Sequence, residues 1–231
     1  METLLDALRN ALHLILTRDA EVLAYSARSL LIASVATLLA SVIGIPVGVL
    51  VAEHDFRGKR VVVTLLNTLL ALPTVVVGLL VYTLLSRSGP LGRLHLLFTV
   101  PGIIIAEVLL ILPIVAALTV SAVARTDRDV RRTALALGAS GRQALWTILR
   151  ESRFGVVAAA IAAYGRVVSE VGVAMIVGGN IDGFTRTMTT AIMVNVDMGD
   201  FALALALGLL LLAISLSINI VFQHLQGGGG E

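Results

Sequence analysis

The sequence predicts an all-α integral membrane protein, with five transmembrane helices, an N-terminal amphipathic helix and a helix-turn-helix in its longest polar segment. Three observations predict it. First, 58% of the 231 residues are hydrophobic and 14% are charged, with a mean hydropathy of +0.98. Soluble domains carry roughly 25% charged residues, and a water-facing shell cannot be built from so few. Second, five apolar stretches reach the roughly 20 residues that a helix needs to cross hydrocarbon. Third, a polar island over 125–153 holds seven of the 17 basic residues.

The N-terminal element comes first in order. Leu5, Leu8, Leu12 and Ile15 recur at helical spacing, with Glu2, Asp6, Arg9 and His13 on another face. That pattern fits a helix lying at the membrane surface, or a solvated helical lead-in. Glu2 and Asp6 stand where a signal peptide would be positive, so none is expected.

The expected spans run over 26–51, 61–85, 94–124, 154–177 and 201–222. Pro46 and Pro73 sit inside the first and second, and Pro101 and Pro113 give the long third span two places to kink. Two loops fall on the side opposite the island, a short one near Ser88-Gly89-Pro90 and a longer one over 178–200. The island and the loop around Arg57, Lys59 and Arg60 share one side and carry ten Lys and Arg. The other side carries five, Arg9, Arg18, Arg87, Arg93 and Arg186. By the excess of positive charge, the island is expected in the cytoplasm, the N-terminus outside and the C-terminus inside. Residues 1–226 read as one transmembrane domain and 227–231, mostly glycine, as a flexible tail.

Within the island, Thr126 with Asp129, and Ser140 with Gln143, have capping-box spacing, and each opens a helix of about ten residues. Gly138 stands between them, where a left-handed residue ends a helix. Val130, Ala134, Leu137, Leu145 and Ile148 are expected to face the membrane domain, with small Ala139 and Gly141 leaving room at the turn. Such a pair reads as a solvated loop or as a rigid element that docks a soluble partner. A DNA-reading role is excluded by the tether to a span at each end, and no nucleic acid is expected.

Charges inside the spans narrow the chemistry. Arg166 and Glu170 sit mid-span, four residues apart and so on one helical face. A lone charge at bilayer depth costs about 2.5–3.5 kcal/mol on insertion scales, so a pair is expected. The pair reads as a structural lock between helices or as part of a polar path. Glu107, mid-way along the third span, has no local partner and is expected in the interior or at a polar cavity. Arg28 is expected to snorkel to the interface. There is no cysteine, the four histidines are scattered, and no nucleotide-binding loop or zinc motif occurs, so no cofactor or metal is expected.

Thr133-Ala134-Leu135-Ala136-Leu137-Gly138, followed by Ile148, resembles the EAA loop of ATP-binding cassette importer permeases of type I. That loop reads Glu-Ala-Ala, three residues, Gly, nine residues, then Ile-x-Leu-Pro. Gly138, Ile148 and Ala134 fit it; Arg132, Thr133 and Arg150-Glu151 depart from it. Five core spans with the island between the third and fourth also match that family. Gly165-Arg166-Val167-Val168-Ser169-Glu170-Val171-Gly172 resembles its sulfate/molybdate/tungstate branch. Leu72-Pro73-Thr74-Val75-Val76-Val77-Gly78-Leu79, the run 86–92 and Val177-Gly178-Gly179-Asn180-Ile181 look most like the tungstate group.

The resemblance implies a permease subunit that catalyses nothing itself, in a bacterial or archaeal cell (inner) membrane. It implies a homodimer, separate ATPase subunits, an extracytoplasmic oxyanion-binding protein and an oxyanion cargo: tungstate, or alternatively molybdate, sulfate or vanadate. The residues it places against the ATPase are Arg131, Arg132, Thr133, Ala134, Leu137, Gly138, Ala139, Ser140 and Gln143. Candidates for the path or gate are Asn67, Thr74, Gly78, Arg166, Ser169, Glu170 and Asn180. Gly178-Gly179-Asn180 and Thr185-Arg186-Thr187 offer N–H and O–H donors to an anion or to the binding protein. The rival reading is a self-contained carrier or channel using Glu107 or the Arg166/Glu170 pair as a proton site.

Overall fold

A computed structural model describes residues 4–126 and 128–227, without the side chains of residues 4, 128, 129, 131, 221, 222 and 224–227. The side chain of Arg131, the Thr126/Asp129 capping pair and the tail beyond Gly227 therefore lie outside the described residues. The described chain is all-α. Its helices are α1 (Leu4–Leu16), α2 (Ala20–Glu53), α3 (Lys59–Leu69), α4 (Thr74–Leu85), α5 (Val100–Ala124), α6 (Arg128–Ala136), α7 (Gly141–Glu151), α8 (Arg153–Val168), α9 (Gly172–Gly178), α10 (Met188–Met198) and α11 (Phe201–Gly227). Among the described residues, three helices (α2, α5 and α11) are long and apolar enough to cross a membrane alone, and five spans result if α3–α4 and α8–α9 each count as one broken span.

The expected spans thus survive as stretches but not all as single helices. The second breaks at residues 70–73, where Pro73 has no N–H and its fixed φ of −64° starts α4. The fourth breaks at 169–171 with a 60° bend. The long loop expected over 178–200 is corrected as well, because it contains α10. Thr187 caps that helix, its hydroxyl accepting from the Thr190 amide and the Thr190 hydroxyl accepting from the Thr187 amide. Asp19 and Asp200 cap α2 and α11 through carboxylate oxygens that accept from Val22 and Leu203 amides.

The chain forms two compact units. One takes in the chain up to Ala36, with Pro73–Glu107 and Gly165–Ile220. An apolar cluster in it joins α1, α2, α10 and α11 through Ala11, Val22, Tyr25, Met188, Ala191 and Leu207. Here α1 divides into two faces. Ala7 and Ala11 are buried, whereas Leu5, Leu12 and Leu16 are 77%, 49% and 82% exposed. The small face packs inward and the leucine face points outward, as a lipid-lying helix requires.

The other unit takes in Thr37–Leu72, Val108–Tyr164 and the residues beyond Ile220. In it α2 crosses α5 at Gly44 and Gly48. A Cβ on Gly48 would stand 2.7 Å from the Ala116 carbonyl oxygen and 2.7 Å from the Thr119 Cβ. Glycines four apart let two helix backbones approach where lipid provides no hydrophobic drive between helices.

Candidate functional site

Two sites rise from this fold, one in each unit. The first is the turn between α6 and α7. Ser140 opens α7 with the expected capping box: the Gln143 amide donates to its Oγ at 3.4 Å, and the Ser140 amide donates to Gln143 Oε1 at 2.7 Å. Gly138 has φ +85°, the left-handed conformation that ends α6, and the amide of Ala139 donates to the Ala134 carbonyl. Among the described residues, and apart from chain neighbours and the local helix backbone, no atom lies within 4 Å of a Cβ built on Gly138 or Gly141.

Helix α7 is anchored by Ile148, 2% exposed, in a cluster with Val49 and Val123. At the turn, Thr133, Leu137, Gly138, Ser140 and Gln143 are exposed, and Ala134 and Ala139 are half-buried. Leu137 corrects its expectation: at 83% exposure it faces away from the membrane helices. Trp146 on α7 is exposed too, at 68%, and sequence reasoning missed it. Its signal was the chain's single tryptophan, four residues before the charged Arg150-Glu151 end of α7. A cleft of about 520 Å³ beside α6 and α7 is lined by Glu53, Asp55, Lys59, Arg132 and Ile148. Lys59 ties the end of α2 to the start of α3 by donating to the Ala52 carbonyl at 2.7 Å and pairing with Asp55 at 3.2 Å.

The second site is the break between α8 and α9. Arg166 lies in the last turn of α8, where a helix dipole favours a cation. Its Nη1 stands 3.2 Å from Glu170 Oε2. The other carboxylate oxygen, Oε1, accepts from the amides of Gly172 and Val173 at 2.8 and 3.3 Å, at the N-terminus of α9. One buried glutamate therefore satisfies orphan amides of the new helix and neutralises the cation that ends the old one. The i,i+4 spacing on a continuous helix gave the right partners for another reason, since the pair closes a bend.

Thr74, the first residue of α4, is beside this break. A Cβ on Gly172 would meet Thr74 Oγ1 at 2.9 Å and Glu170 Oε1 at 3.4 Å. Gly78 is buried against Ile176 and Val173 of α9. Ser169 is exposed, its hydroxyl donating to the Gly165 carbonyl at 2.9 Å. Asn67 is exposed on α3 in the other unit. Asn180, with φ +50°, sits half-buried in the segment after α9, and its Oδ1 is buried without a hydrogen-bond partner among the described residues. The structure thus brings together Thr74, Gly78, Arg166, Ser169 and Glu170 around one break and leaves Asn180 beyond α9.

The donors expected around 178–187 are largely used internally. Thr185 Oγ1 donates to the Gly178 carbonyl at 2.6 Å and accepts from the Ile181 amide at 2.9 Å. Arg28 corrects its expectation too. It fastens this segment, donating to the carbonyls of Arg186 and Gly183 at 2.6 and 2.9 Å, in place of snorkelling free. Tyr25 donates to Asp182 at 2.7 Å. That bond, aided by the Gly183 amide and the nearby Arg186 and Arg28, holds the Asp182 carboxyl below its ordinary value against a smaller opposing effect of burial.

Broken apolar spans and a capped, exposed helix pair make this an all-α membrane protein. Residues 44–228 match the family described as binding-protein-dependent transport system inner membrane component, and the chain belongs to that family. The chain is 39% identical over 226 residues to the tungstate uptake system permease protein TupB of Peptoclostridium acidaminophilum, covering 98% of this chain and 99% of that one. TupB of Campylobacter jejuni is 37% identical over 202 residues, 87% of this chain and 84% of its own. A probable anion ABC transporter permease protein of Haloferax volcanii is 43% identical over 180 residues, 76% and 78% of the two chains. Permeases of sulfate and molybdenum transport systems match at 26–30%. The expected kinship with the tungstate group of ATP-binding cassette permeases is borne out.

Proposed function

We propose that this chain is the membrane subunit of an ATP-driven oxyanion importer, with tungstate as the cargo. The observation that carries this reading is the near full-length similarity to two tungstate uptake permeases, one of them over 98% of this chain. The chain has no nucleotide-binding loop, so ATP is hydrolysed on another subunit. Two copies enclose one path on a two-fold axis, each presenting its 128–151 helix pair to one ATPase subunit in the cytoplasm.

The exposed turn suits that task. Leu137 and Trp146 supply apolar contact around a backbone that Gly138 and the Ser140 cap hold fixed. A partner that moves this turn moves α7, whose Ile148 is packed on α2 and α5. A rigid-body swing of the ATPase pair is thereby passed to the spans. The break at Glu170 is the gate: Arg166 attracts the oxyanion and its bond to Glu170 limits how tightly the anion is held. The binding protein delivers cargo from the outer face, where the N-terminus and the segment after α9 lie.

Reconstitution tests the reading. Proteoliposomes holding this chain, its ATPase and a tungstate-loaded binding protein are expected to accumulate tungstate only with ATP. Uptake by this chain alone under an ion gradient would replace the importer with the carrier.

A further inference from the structure

Glu107 takes no part in the reading above, yet it is among the most deeply buried charged residues described. It lies on α5 at 1% exposure. Its Oε2 is buried without a hydrogen-bond partner among the described residues. A carboxylate in that condition is costly inside a membrane, so its neighbours are expected to answer for it.

A small cavity of about 10 Å³ is the nearest answer. That is the size of one water molecule or one small ion. Its polar wall is Ser29, Glu107, Glu170, Thr187 and Thr189, contributed by α2, α5, the α8–α9 break and the start of α10. No lysine, arginine or histidine lines it. Among the described residues no group of three or more His, Cys, Asp or Glu could hold a metal ion, which argues against a divalent or transition-metal centre.

The hydrogen bonds on the page show which lone pairs remain. Thr189 Oγ1 gives its proton to the Glu170 carbonyl at 2.7 Å, so of its two lone pairs one can meet the Thr187 hydroxyl and one is left for another group. Thr187 Oγ1 stands 3.1 Å from it and accepts from the Thr190 amide at 3.4 Å, which leaves it one lone pair. Ser29 Oγ accepts from the Met188 amide at 2.8 Å. The wall is therefore rich in hard oxygen acceptors. Charge allows the same: Glu170 is paired with Arg166, and Glu107 in its ionised form leaves one negative charge over. A single positive charge closes the balance and a double charge would overshoot it.

We propose that the Glu107 cavity is a binding site for one sodium ion, held by the carboxylate of Glu107 and the hydroxyl oxygens of Ser29, Thr187 and Thr189. Bound there, the ion joins α2, α5 and the start of α10 around the α8–α9 break. The site does not depend on which cargo is carried or on ATP.

The full-length chain in nanodiscs, purified in choline chloride, provides the test. Radioactive sodium is expected to bind saturably, one per chain, and sodium chloride is expected to raise the melting temperature above an equal concentration of choline chloride. Glu107→Gln is expected to abolish both effects. Ser29→Ala, which keeps every charge, is expected to weaken sodium binding about tenfold by removing one ligand. Absence of saturable sodium binding to the unaltered chain overturns the proposal, whatever the variants do. So does sodium binding that Glu107→Gln leaves intact, or a stability that follows pH and ignores sodium.

Discussion

Arg166 and Glu170 meet across a break: the guanidinium ends α8, the carboxylate starts α9, and 3.2 Å separates Nη1 from Oε2. Because Oε1 of the same glutamate accepts two α9 amides, the two oxygens can be tested apart. Glu170→Gln keeps an acceptor for the amides and loses the charge. Glu170→Ala loses both, and is expected to cost about 1–2 kcal/mol more, the usual range for a lost helix cap. Thermal unfolding in nanodiscs reads the difference; equal losses would remove the capping role.

Arg166→Ala is expected to abolish tungstate uptake while the assembled complex still elutes as one species on size-exclusion chromatography. Its side chain is 39% exposed, so the stability loss stays below the roughly 3–5 kcal/mol of a fully buried pair. Normal uptake by this variant would remove Arg166 from the gate.

At the helix-pair turn, Leu137→Glu and Trp146→Glu change exposed side chains and are expected to leave the melting temperature within about 1 °C, since surface substitutions usually stay within ±0.5 kcal/mol. Both are expected to uncouple the ATPase, measured as loss of stimulation by the loaded binding protein. Ser140→Ala is expected to lower stability by about 1 kcal/mol through loss of the cap. If the two glutamate variants retain full stimulation, the partner does not seat there.

Packing at the α2–α5 crossing gives a prediction independent of function. Gly48→Val must displace the Ala116 backbone or Thr119 and is expected to destabilise by about 1–3 kcal/mol. Gly165→Ala, at a helical glycine with open space around its Cβ, is expected to be neutral or to stabilise slightly. Melting temperatures of the two variants decide it.

Asp182 links stability to pH. Its carboxyl is held below the ordinary 3.8, so the native state binds its proton less readily than the unfolded chain. The stability this contributes is present in full above about pH 4 and is lost as pH falls through the lowered value. Tyr25→Phe removes the largest cause of the shift. Acid unfolding followed by tryptophan fluorescence is expected to show less loss between pH 4 and 2 for Tyr25→Phe and for Asp182→Asn than for the unaltered chain.

Much of this was legible in the residues because the relevant signals are local. The Ser140/Gln143 box, the Gly138 turn and the apolar stretches need only neighbouring positions to be read. The break at Glu170 was not legible, because hydropathy averages over a window and a carboxylate that satisfies backbone amides looks like any other intramembrane charge. Helix α10 escaped for the opposite reason. Its Thr, Asn and Asp residues give it loop-like composition, and it is held by buried hydroxyls and by Met188 and Ala191 in a core drawn from distant parts of the chain. Gly44 and Gly48 carried a known spacing, but only the opposing α5 backbone shows what they are for. Trp146 carried no periodic signal, and Leu137 carried a misleading one, because the helix face it shares with Val130 and Ala134 ends at Ala136, one residue before it.

The outward leucines of α1 have a consequence for handling the protein. A helix moored by Ala7, Ala11, Leu14 and Ile15 on one side relies on acyl chains for the other, and short-tailed surfactants offer poor footing to Leu5, Leu12 and Leu16. Extraction would then set this outrigger adrift, and with it the apolar cluster of Val22, Met188 and Leu207 that Ala11 helps to close.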